Sequence, residues 1–303
     1  MFEYLTHSEI DKAKWDNCIT NAFNGIIYAY SWYLDVLCES WDALIIGDYE
    51  YVFPLTYRKK YGIYYLYQPY FNQQLGVFSN KILTSEIVNN FIDAIPEKFK
   101  FIEININKYN KISRKDFKYK TNTTLELDLI SSYEQLKKNY AENNLRNIKN
   151  AEKNNLEINS TASPEEIINL FRKNRGKQIK NLKNNDYENL KLLIHLIQKK
   201  GKGQVWAAYK GNQLCAGIFF IESNNKVIFL FSGSGQLARK TGAMSFIIDK
   251  FIEKNAQRNL ILDFAGSNNS NLARFYKGFG SKECFYLQIR RNNLPWFIKW
   301  LKK

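Results

Sequence analysis

The stretch KVIFLFSGSGQLARKTGAMSFIIDKFIEKNAQRNLILDFAGSNNSNLARFYKGFG, residues 226–280, contains the pattern that decides the fold. Its apolar run from Val227 to Phe231 predicts a buried strand, and the small residues of SGSGQLARKTGA predict a loop. This loop leads to a helix that we expect to begin near Thr241. A second strand over residues 259–264 and a second helix with an apolar face follow. The stretch therefore predicts the order strand, loop, helix, strand, helix.

The loop before the predicted helix is a candidate phosphate site. A helix N-terminus presents unpaired N–H groups and the positive end of the helix dipole. Arg239 and Lys240 add positive charge, and Gly242 permits a ligand to approach the backbone closely. An ordinary glycine-containing turn before a capped helix is the alternative interpretation of these residues. Neither GxxxxGK[ST] nor GxGxxG is present, which disfavours a P-loop nucleotide hydrolase and a dinucleotide-dependent enzyme.

Carboxylates end two of the predicted strands. Asp263 follows the loop and Glu222 ends an earlier strand, and both are candidate general bases. Asp263 alternatively caps the backbone that follows it. The residues SNNS then supply helix-capping oxygens, and Tyr276 lies on the apolar face of the next helix, where plain packing also accounts for it.

The order of elements occurs twice in the chain. Shifted by about 163 residues, ALIIGDYEYVFPLTYRK from Ala43 aligns without a gap with WAAYKGNQLCAGIFFIE from Trp206. A helix predicted over residues 83–95 and a strand predicted over 99–106 then fall near their counterparts in the deciding stretch. The match is one of hydrophobic pattern rather than identity. It predicts two copies of a β-β-β-α-β unit.

A helical, strongly charged segment, residues 131–202, separates the two copies. Arg146, Lys149 and Lys153 recur at i, i+3 and i+7, so they share one helix face. This basic stripe is either a phosphate-binding surface or a solvated helix face. His195 lies within an apolar helix pattern and is expected to be structural.

The composition favours anionic partners and argues against several classes of enzyme. The 303 residues carry 44 Lys and Arg against 29 Asp and Glu, a net charge of +15. This charge favours phosphate-bearing partners, anionic lipid or nucleic acid, although AT-rich codon usage also enriches Lys, Asn and Ile. Four separated cysteines and two histidines argue against a zinc site, a disulfide framework and a Ser-His-Asp hydrolase. We expect no metal, no integral membrane segment and a cytoplasmic location.

Taken together, these motifs resemble the Gcn5-related N-acetyltransferase (GNAT) superfamily, and more closely its FemAB-like branch of tandem-domain acyltransferases. Arg239-Lys-Thr-Gly242-Ala243 is similar to the family's [Q/R]xxGx[G/A] acyl-CoA pyrophosphate loop, with Met244 in place of the last small residue. Asn269, Tyr276 and Gly280 resemble the family's Asn, Tyr and Gly helix pattern. FYKGFG, residues 275–280, is similar to the FemAB-type motif, whose lysine falls on Lys277. The segment TLELDLISSYEQLKKNYAENNLRNIKNAEKNNLEI, from Thr124, also resembles that branch.

The resemblance implies an α/β fold of two tandem GNAT-like domains, each a mixed twisted sheet flanked by helices. Residues 1–130 are predicted to form the acceptor-side domain, with a degenerate donor site. Residues 131–303 are predicted to form the carrier-binding and catalytic domain, with a helical insertion. The carrier-binding residues that this implies are Arg239, Lys240, Thr241, Gly242, Ala243 and Asn269.

The implied reaction is transfer of an acyl group from acyl-CoA, such as acetyl-CoA, to the amine of a small molecule or a cell-envelope precursor. Tyr276 would protonate the leaving group, and Lys277 would hold carrier phosphate or stabilise developing charge. Gln68, Asn72 and Arg146 are candidate substrate-binding residues, although a packed domain interface also accounts for the aromatic and amide-rich YLYQPYFNQQLG, residues 65–76. Two alternatives stay open: a FemAB-like peptidyltransferase that uses aminoacyl-tRNA, and a non-catalytic binding module on the same scaffold.

Overall fold

Strands and helices alternate along the chain in a computed structural model that describes residues 2–113, 117–160, 162–179 and 181–299. The strands are β1 (Phe2–Leu5), β2 (Ser40–Ile46), β3 (Tyr51–Lys60), β4 (Ile63–Tyr67), β5 (Phe78–Ser79), β6 (Phe99–Ile106), β7 (Lys118–Asp128), β8 (Leu156–Asn159), β9 (Gly203–Lys210), β10 (Gln213–Ser223), β11 (Lys226–Ser234), β12 (Ile261–Asp263) and β13 (Lys282–Asn292). The α-helices are α1 (Lys12–Asn21), α2 (Ser31–Leu37), α3 (Ser85–Asp93), α4 (Tyr133–Lys137), α5 (Glu142–Lys153), α6 (Pro164–Lys173), α7 (Asn184–Lys199), α8 (Gln236–Thr241), α9 (Ala243–Asn255) and α10 (Ser270–Lys277). Ile27–Ala29 and Arg175–Gln178 are single 3-10 turns. Among the described residues, no helix combines the length and the apolar composition that a membrane-spanning segment needs.

The chain divides into two compact units, Met1–Asn122 with Phe285–Lys303, and Thr123–Cys284. The predicted ranges are 1–130 and 131–303. The second unit instead begins earlier, at Thr123, and also ends earlier, at Cys284. Residues 285–292 of β13 belong to the first unit because they pair with β6. Residues 123–128 of β7 belong to the second unit, where they contribute the partner strand of β12.

Each unit contains a mixed sheet. In the first unit the strand order is β1-β2-β3-β4-β6-β13, with β5 paired to β3, and the pairing of β4 with β6 is parallel. In the second unit the order is β8-β9-β10-β11-β12-β7, and the pairing of β11 with β12 is parallel. All the other pairings within these two orders are antiparallel.

The predicted repeat is confirmed. The series β2, β3, β4 and β6 has the same order and the same strand directions as β9, β10, β11 and β12. β9 begins 163 residues after β2, which is the shift that the hydrophobic pattern gave. Both units thus contain two antiparallel pairings followed by one parallel pairing, as the resemblance to tandem GNAT-like domains implies.

The core of the second unit lies between its sheet and α9. Alternate residues of β10 and β11 face this helix, and the ring of Phe220 stacks on that of Phe251 with centroids 3.9 Å apart. In the first unit α3 has the corresponding place, and the Phe91 ring meets Phe53 edge-on at 6.2 Å. Each fully buried phenylalanine contributes about 1.5–3 kcal/mol through removal of apolar surface from water.

A buried carboxylate joins α4 to α9. Tyr133 on α4 donates a 2.8 Å hydrogen bond to Asp249 Oδ1, and the buried Tyr140 hydroxyl lies close to the same carboxylate. Burial raises the pKa of Asp249, and the hydrogen bond from Tyr133 only partly offsets this effect. The folded state therefore binds a proton at Asp249 more tightly than the unfolded chain does.

We expect the stability of the wild type to rise, relative to an Asp249→Asn variant, as the pH falls from neutrality toward the unfolded pKa of about 3.9. The pKa of Asp249 is higher in the folded protein than in the unfolded chain. Such a carboxyl group stabilises the fold fully at pH values below its unfolded-state pKa. This contribution is lost as the pH rises through its folded-state pKa. Urea unfolding of both proteins across this range measures the difference. A difference in the free energy of unfolding that does not change with pH would contradict the prediction.

Candidate active site

β11 extends well beyond its parallel partner. Only Lys226–Ile228 pair with β12, whereas β11 continues to Ser234 against β10 alone. After β12 the Phe264 N–H bonds to Leu125 of β7, and Ala265 and Gly266 adopt positive φ angles that turn the chain away. The edge of β11 from Phe229 to Ser234 consequently has no strand partner on this side in the described part of the chain. We call this opening the β11 cleft.

The first unit has no comparable free edge, because β4, the counterpart of β11, ends at Tyr67, where its pairing with β6 also ends. Residues 68–76 leave β4 and return beside β6, where Leu75 forms a parallel bridge with Ile106. The Leu75 N–H donates to Asn105 O at 2.9 Å, and the Asn107 N–H donates to Leu75 O at 2.8 Å. An added strand or an extended ligand would need these same backbone groups. The repeat thus has one open copy and one closed copy.

Gln68 and Asn72, predicted to bind substrate, hold this closing loop in place. Gln68 Nε2 donates to Asn72 O at 2.8 Å, and Gln68 Oε1 accepts from the Asn105 N–H at 2.9 Å. The buried Asn72 side chain donates to Tyr28 O at 3.0 Å. These amides have structural partners within the first unit, and a role in acceptor binding stays a prediction.

The turn between α8 and α9 lies at the far end of β11. The sequence predicted a loop through residues 232–243, but Gln236–Thr241 form α8, because Gln, Leu, Ala, Arg and Lys all favour helix. Gly242 (φ 77°) ends α8, and α9 begins at Ala243 with no side-chain cap. The first N–H groups of α9 therefore have no capping side chain.

The residues predicted to bind a carrier have different surroundings in this turn. Arg239 and Lys240 are exposed, whereas Thr241, Gly242 and Ala243 are buried. The Thr241 hydroxyl donates to Leu237 O at 2.8 Å, and the Gly242 N–H donates to Ala238 O at 3.0 Å. The Thr241 hydroxyl and the Gly242 N–H thus have hydrogen-bond acceptors within α8. Binding of an anion at this turn would therefore depend on the exposed side chains of Arg239 and Lys240 and on the N–H groups in the first turn of α9.

Helix α5 packs directly on the turn. Asn150 Nδ2 donates to Lys240 O at 2.7 Å, and a Cβ at Gly242 would lie 2.2 Å from Asn147 O. Beside this contact a groove of about 260 Å³ is lined by Asn147, Ser234, Ala238, Arg239, Gly242, Met244, Ser245 and Phe275. A second groove, of about 590 Å³, is lined by the exposed side of α5: Glu142, Leu145, Arg146, Asn147, Lys149, Asn150 and Lys153. Asn147 lines both grooves, so the predicted basic stripe borders the turn.

We expect Gly242→Ala to lower the free energy of unfolding by about 2–3 kcal/mol, from left-handed backbone strain and collision with α5. Gly211→Ala is the matched control, because Gly211 also has a positive φ (54°) but open space around its Cβ position. We expect that control to lose about 1 kcal/mol. Urea unfolding measures both variants, and equal losses would show that α5 does not press on Gly242.

Tyr276 on α10 lies against the base of the β11 cleft. Its ring stacks on Phe264, with centroids 4.7 Å apart, and meets Phe229 edge-on at 5.7 Å. Its hydroxyl has no hydrogen-bond partner among the described residues. Burial raises the pKa of Tyr276 above its usual value, so this hydroxyl stays protonated at neutral pH and is able to donate a proton.

Asp263 belongs to a buried charged cluster at the end of the β11–β12 pairing. Lys226 Nζ lies 2.6 Å from Glu126 Oε1 and 3.3 Å from Asp263 Oδ2. Burial alone would lower the pKa of Lys226, but the charges of Asp263 and Glu126 outweigh burial and raise it. Two carboxylates and one ammonium therefore leave the cluster with a net negative charge.

Asp263 also has the capping role that the sequence left open. Its Oδ1 accepts from the Ala265 N–H at 3.0 Å and from the Thr124 hydroxyl. Because neighbouring residues of a strand point to opposite faces, Asp263 lies on the other face of the sheet from Phe264 and Tyr276. The cleft thus has a phenol on one face and a carboxylate cluster on the other.

Three other predicted residues lie apart from the cleft or have local partners. Glu222 pairs with Val227 at the opposite end of β11, roughly 20 Å along the strand from Ser234, and forms a 2.6 Å ion pair with Arg258. Asn269 caps α10, accepting from the Asn271 and Leu272 N–H groups. Lys277 is half-exposed and forms a 2.9 Å ion pair with Glu283.

The sequence reasoning missed Lys226, Glu126 and Thr124. Lys226 and Glu126 are charged residues within otherwise apolar strand patterns, and that was the available signal. Their partnership depends on the pairing of β7 with β12, which spans more than a hundred residues of sequence.

Across the ranges 2–113, 117–160, 162–179 and 181–299, no three His, Cys, Asp or Glu side chains are grouped to hold a metal ion.

Several solved structures are similar to this chain. FemX superposes with a TM-score of 0.63 at 12% identity, covering 94% of this chain and 96% of FemX. A conserved protein of unknown function from Bacteroides thetaiotaomicron VPI-5482 gives a TM-score of 0.60 at 11% identity, covering 96% and 99% of the two chains. A tandem GNAT protein from the clavulanic acid biosynthesis pathway gives 0.52 at 8% identity, covering 97% and 99%. No protein-family model and no curated protein sequence matches this chain.

Proposed function

We propose that this chain, which has a GNAT-like fold of the FemAB type, transfers an acyl or aminoacyl group from a phosphorylated carrier to an amine. The observation that carries the proposal is the unpaired edge of β11 beside Tyr276, in the one copy of the repeat that the chain leaves open. Such an edge accepts an extended ligand through backbone hydrogen bonds. The closed copy in the first unit lacks this capacity.

The two faces of the β11 cleft suit the two proton transfers of the reaction. The amine nitrogen attacks the carbonyl carbon of the donor, and backbone N–H groups of β11 stabilise the oxyanion that forms. The nitrogen loses its proton on the face of Asp263, directly or through water. The bond from carbon to the carrier sulfur or oxygen then breaks, and Tyr276 gives its proton to that atom. The negative charge near Asp263 also attracts an ammonium form of the acceptor.

Acyl-CoA is the first candidate carrier. Its pyrophosphate matches the first turn of α9, where N–H groups without a capping side chain lie beside Arg239 and Lys240. The groove of about 260 Å³ at Ser234 and Phe275 continues from this turn toward the cleft. A thioester arm in that groove would reach the edge of β11.

Aminoacyl-tRNA is the second candidate carrier, and the groove along α5 favours it. The groove of about 590 Å³, which begins at the same turn, is lined by Arg146, Lys149 and Lys153. A phosphodiester backbone needs a row of cations of this kind, and the net charge of +15 adds long-range attraction. Lys277, whose pairing with Glu283 is solvent-exposed, is free to exchange that partner for a phosphate.

The test offers both carriers to the same protein. Acetyl-CoA and longer acyl-CoAs are assayed for thermal stabilisation and for release of free thiol with a mixture of amines, and charged tRNA for binding and deacylation. If acyl-CoA is the carrier, the Arg239→Glu variant should lose the release of free thiol. If aminoacyl-tRNA is the carrier, the double variant Arg146→Glu with Lys149→Glu should lose tRNA binding. Lys199→Glu on α7 is the control for loss of positive charge alone.

The carriers are also separated by salt. Binding of tRNA through several phosphates falls steeply as salt rises, whereas acyl-CoA depends on fewer charges. If either carrier stabilises the protein but no turnover is detected, the protein is a non-catalytic binding module on this scaffold. Absence of binding and turnover with both carriers would refute the proposed function.

A further inference from the structure

Three large aromatic side chains of the first unit are exposed. Tyr61, at the turn between β3 and β4, is 90% exposed, and Trp296 and Phe297, after β13, are 86% and 58% exposed. The rings of Trp296 and Phe297 lie edge to face, 5.9 Å apart. Large apolar groups clustered in this way on a protein surface mark an interaction site.

The two segments that carry these aromatics lie together. A turn begins at Pro295, whose carbonyl accepts from the N–H groups of both Ile298 and Lys299 at 3.0 Å. A groove of about 360 Å³ is lined by Lys60, Tyr61, Ile63, Tyr65, Phe101, Leu294 and Ile298. Leu294 and Ile298 are half-buried there, so the turn is anchored while Trp296 and Phe297 face solvent. We call Tyr61, Trp296 and Phe297 the aromatic patch.

Basic residues predominate around the aromatic patch. Residues 58–65 and 285–299 contain six basic residues and no acidic residue, and two of the six, Arg58 and Arg290, pair with Glu39 and Glu103. Two of these cations adjoin the patch: Lys60 Nζ lies 5.3 Å from the centre of the Tyr61 ring, and Lys299 follows the turn. A second copy of this chain on the patch would bring two sets of these cations together. The surface instead complements a partner that is both apolar and anionic.

We propose that the aromatic patch docks this protein on the surface of an anionic lipid bilayer. Tryptophan, tyrosine and phenylalanine side chains partition into the interfacial region of a bilayer, where an apolar ring meets the polar headgroups. Lysine and arginine beside them are attracted by anionic headgroups. The docking is peripheral and involves no spanning helix. It stands independently of the transfer reaction, because every residue of the patch lies in the first unit.

Co-sedimentation with vesicles tests the proposal. We expect the full chain to bind vesicles of phosphatidylcholine with phosphatidylglycerol at least about tenfold more tightly than vesicles of phosphatidylcholine alone. Trp296→Ser with Phe297→Ser should weaken binding to the mixed vesicles about tenfold or more, and Lys60→Glu with Lys299→Glu should remove the preference for the anionic lipid. Leu192→Ser, at a residue 60% exposed in the second unit, is the matched control and should bind like the wild type.

A second measurement reports location independently of folding. Brominated acyl chains should quench tryptophan fluorescence of the wild type, and Trp296→Phe should lose most of that quenching while still binding. The proposal is overturned by absence of binding to either vesicle, by equal binding of the serine variant and the wild type, or by quenching that survives Trp296→Phe. Light scattering that shows a dimer lost in the serine variant would assign the patch to a second copy and would also overturn it.

Discussion

Replacing Tyr276 by phenylalanine is expected to lower the turnover number for transfer by about a hundredfold or more, with little change in the free energy of unfolding. The packing of residue 276 depends on its ring, which Phe264 and Phe229 contact, and phenylalanine preserves these contacts. Only the hydroxyl is lost, and it has no partner to leave unpaired in the described part of the chain. Turnover is measured with whichever carrier the donor assay identifies, and stability by urea unfolding.

Tyr140→Phe provides the control for this variant. The Tyr140 hydroxyl is also buried in the second unit, close to the Asp249 carboxylate, and its ring packs on Phe279, 5.2 Å away. Tyr140→Phe therefore removes a buried phenolic hydroxyl of the same unit that does not lie at the cleft, and it should leave turnover unchanged. Because burial raises the pKa of Tyr276, the wild-type rate should not fall through ionisation of this group near its usual pKa of about 10. Equal turnover in Tyr276→Phe and the wild type would exclude Tyr276 as the proton donor.

Hydrophobic pattern predicted most of the architecture because it reports burial directly. The strand predicted over Phe99–Ile106 coincides with β6, and the helix predicted over residues 83–95 contains α3. These features depend on neighbours within a few residues of sequence. The same is true of the 163-residue repeat, since each copy carries its own pattern.

The cleft was harder to predict from the sequence, because it depends on which strand edges have no hydrogen-bonded neighbour. β4 and β11 have similar patterns, yet β4 ends where its pairing with β6 ends, whereas β11 continues beyond its pairing with β12. The helix α8, by contrast, was within reach of the sequence, because residues 236–241 favour helix. Glu222 and Asp263 both end strands, but they differ in position along β11, and only pairing registers reveal that. Long-range register is not encoded in local periodicity.

Lys226→Met is expected to destabilise the second unit by about 3–5 kcal/mol at neutral pH. The substitution leaves Glu126 and Asp263, which are 9% and 1% exposed, without their shared cation. Urea unfolding at neutral pH measures this loss.

Two companion variants show whether this loss comes from the buried charges. Lys226→Met with Glu126→Gln removes one carboxylate as well, and should recover part of the lost stability, since the two sites are in contact and their effects are not additive. Lys250→Met removes the partner of Glu253 from an exposed 2.7 Å pair, and should cost less than about 1 kcal/mol. If Lys226→Met costs no more than Lys250→Met, then the cluster is not held by its charges. Asp263, which we propose as the general base, would then need another source of its fixed position.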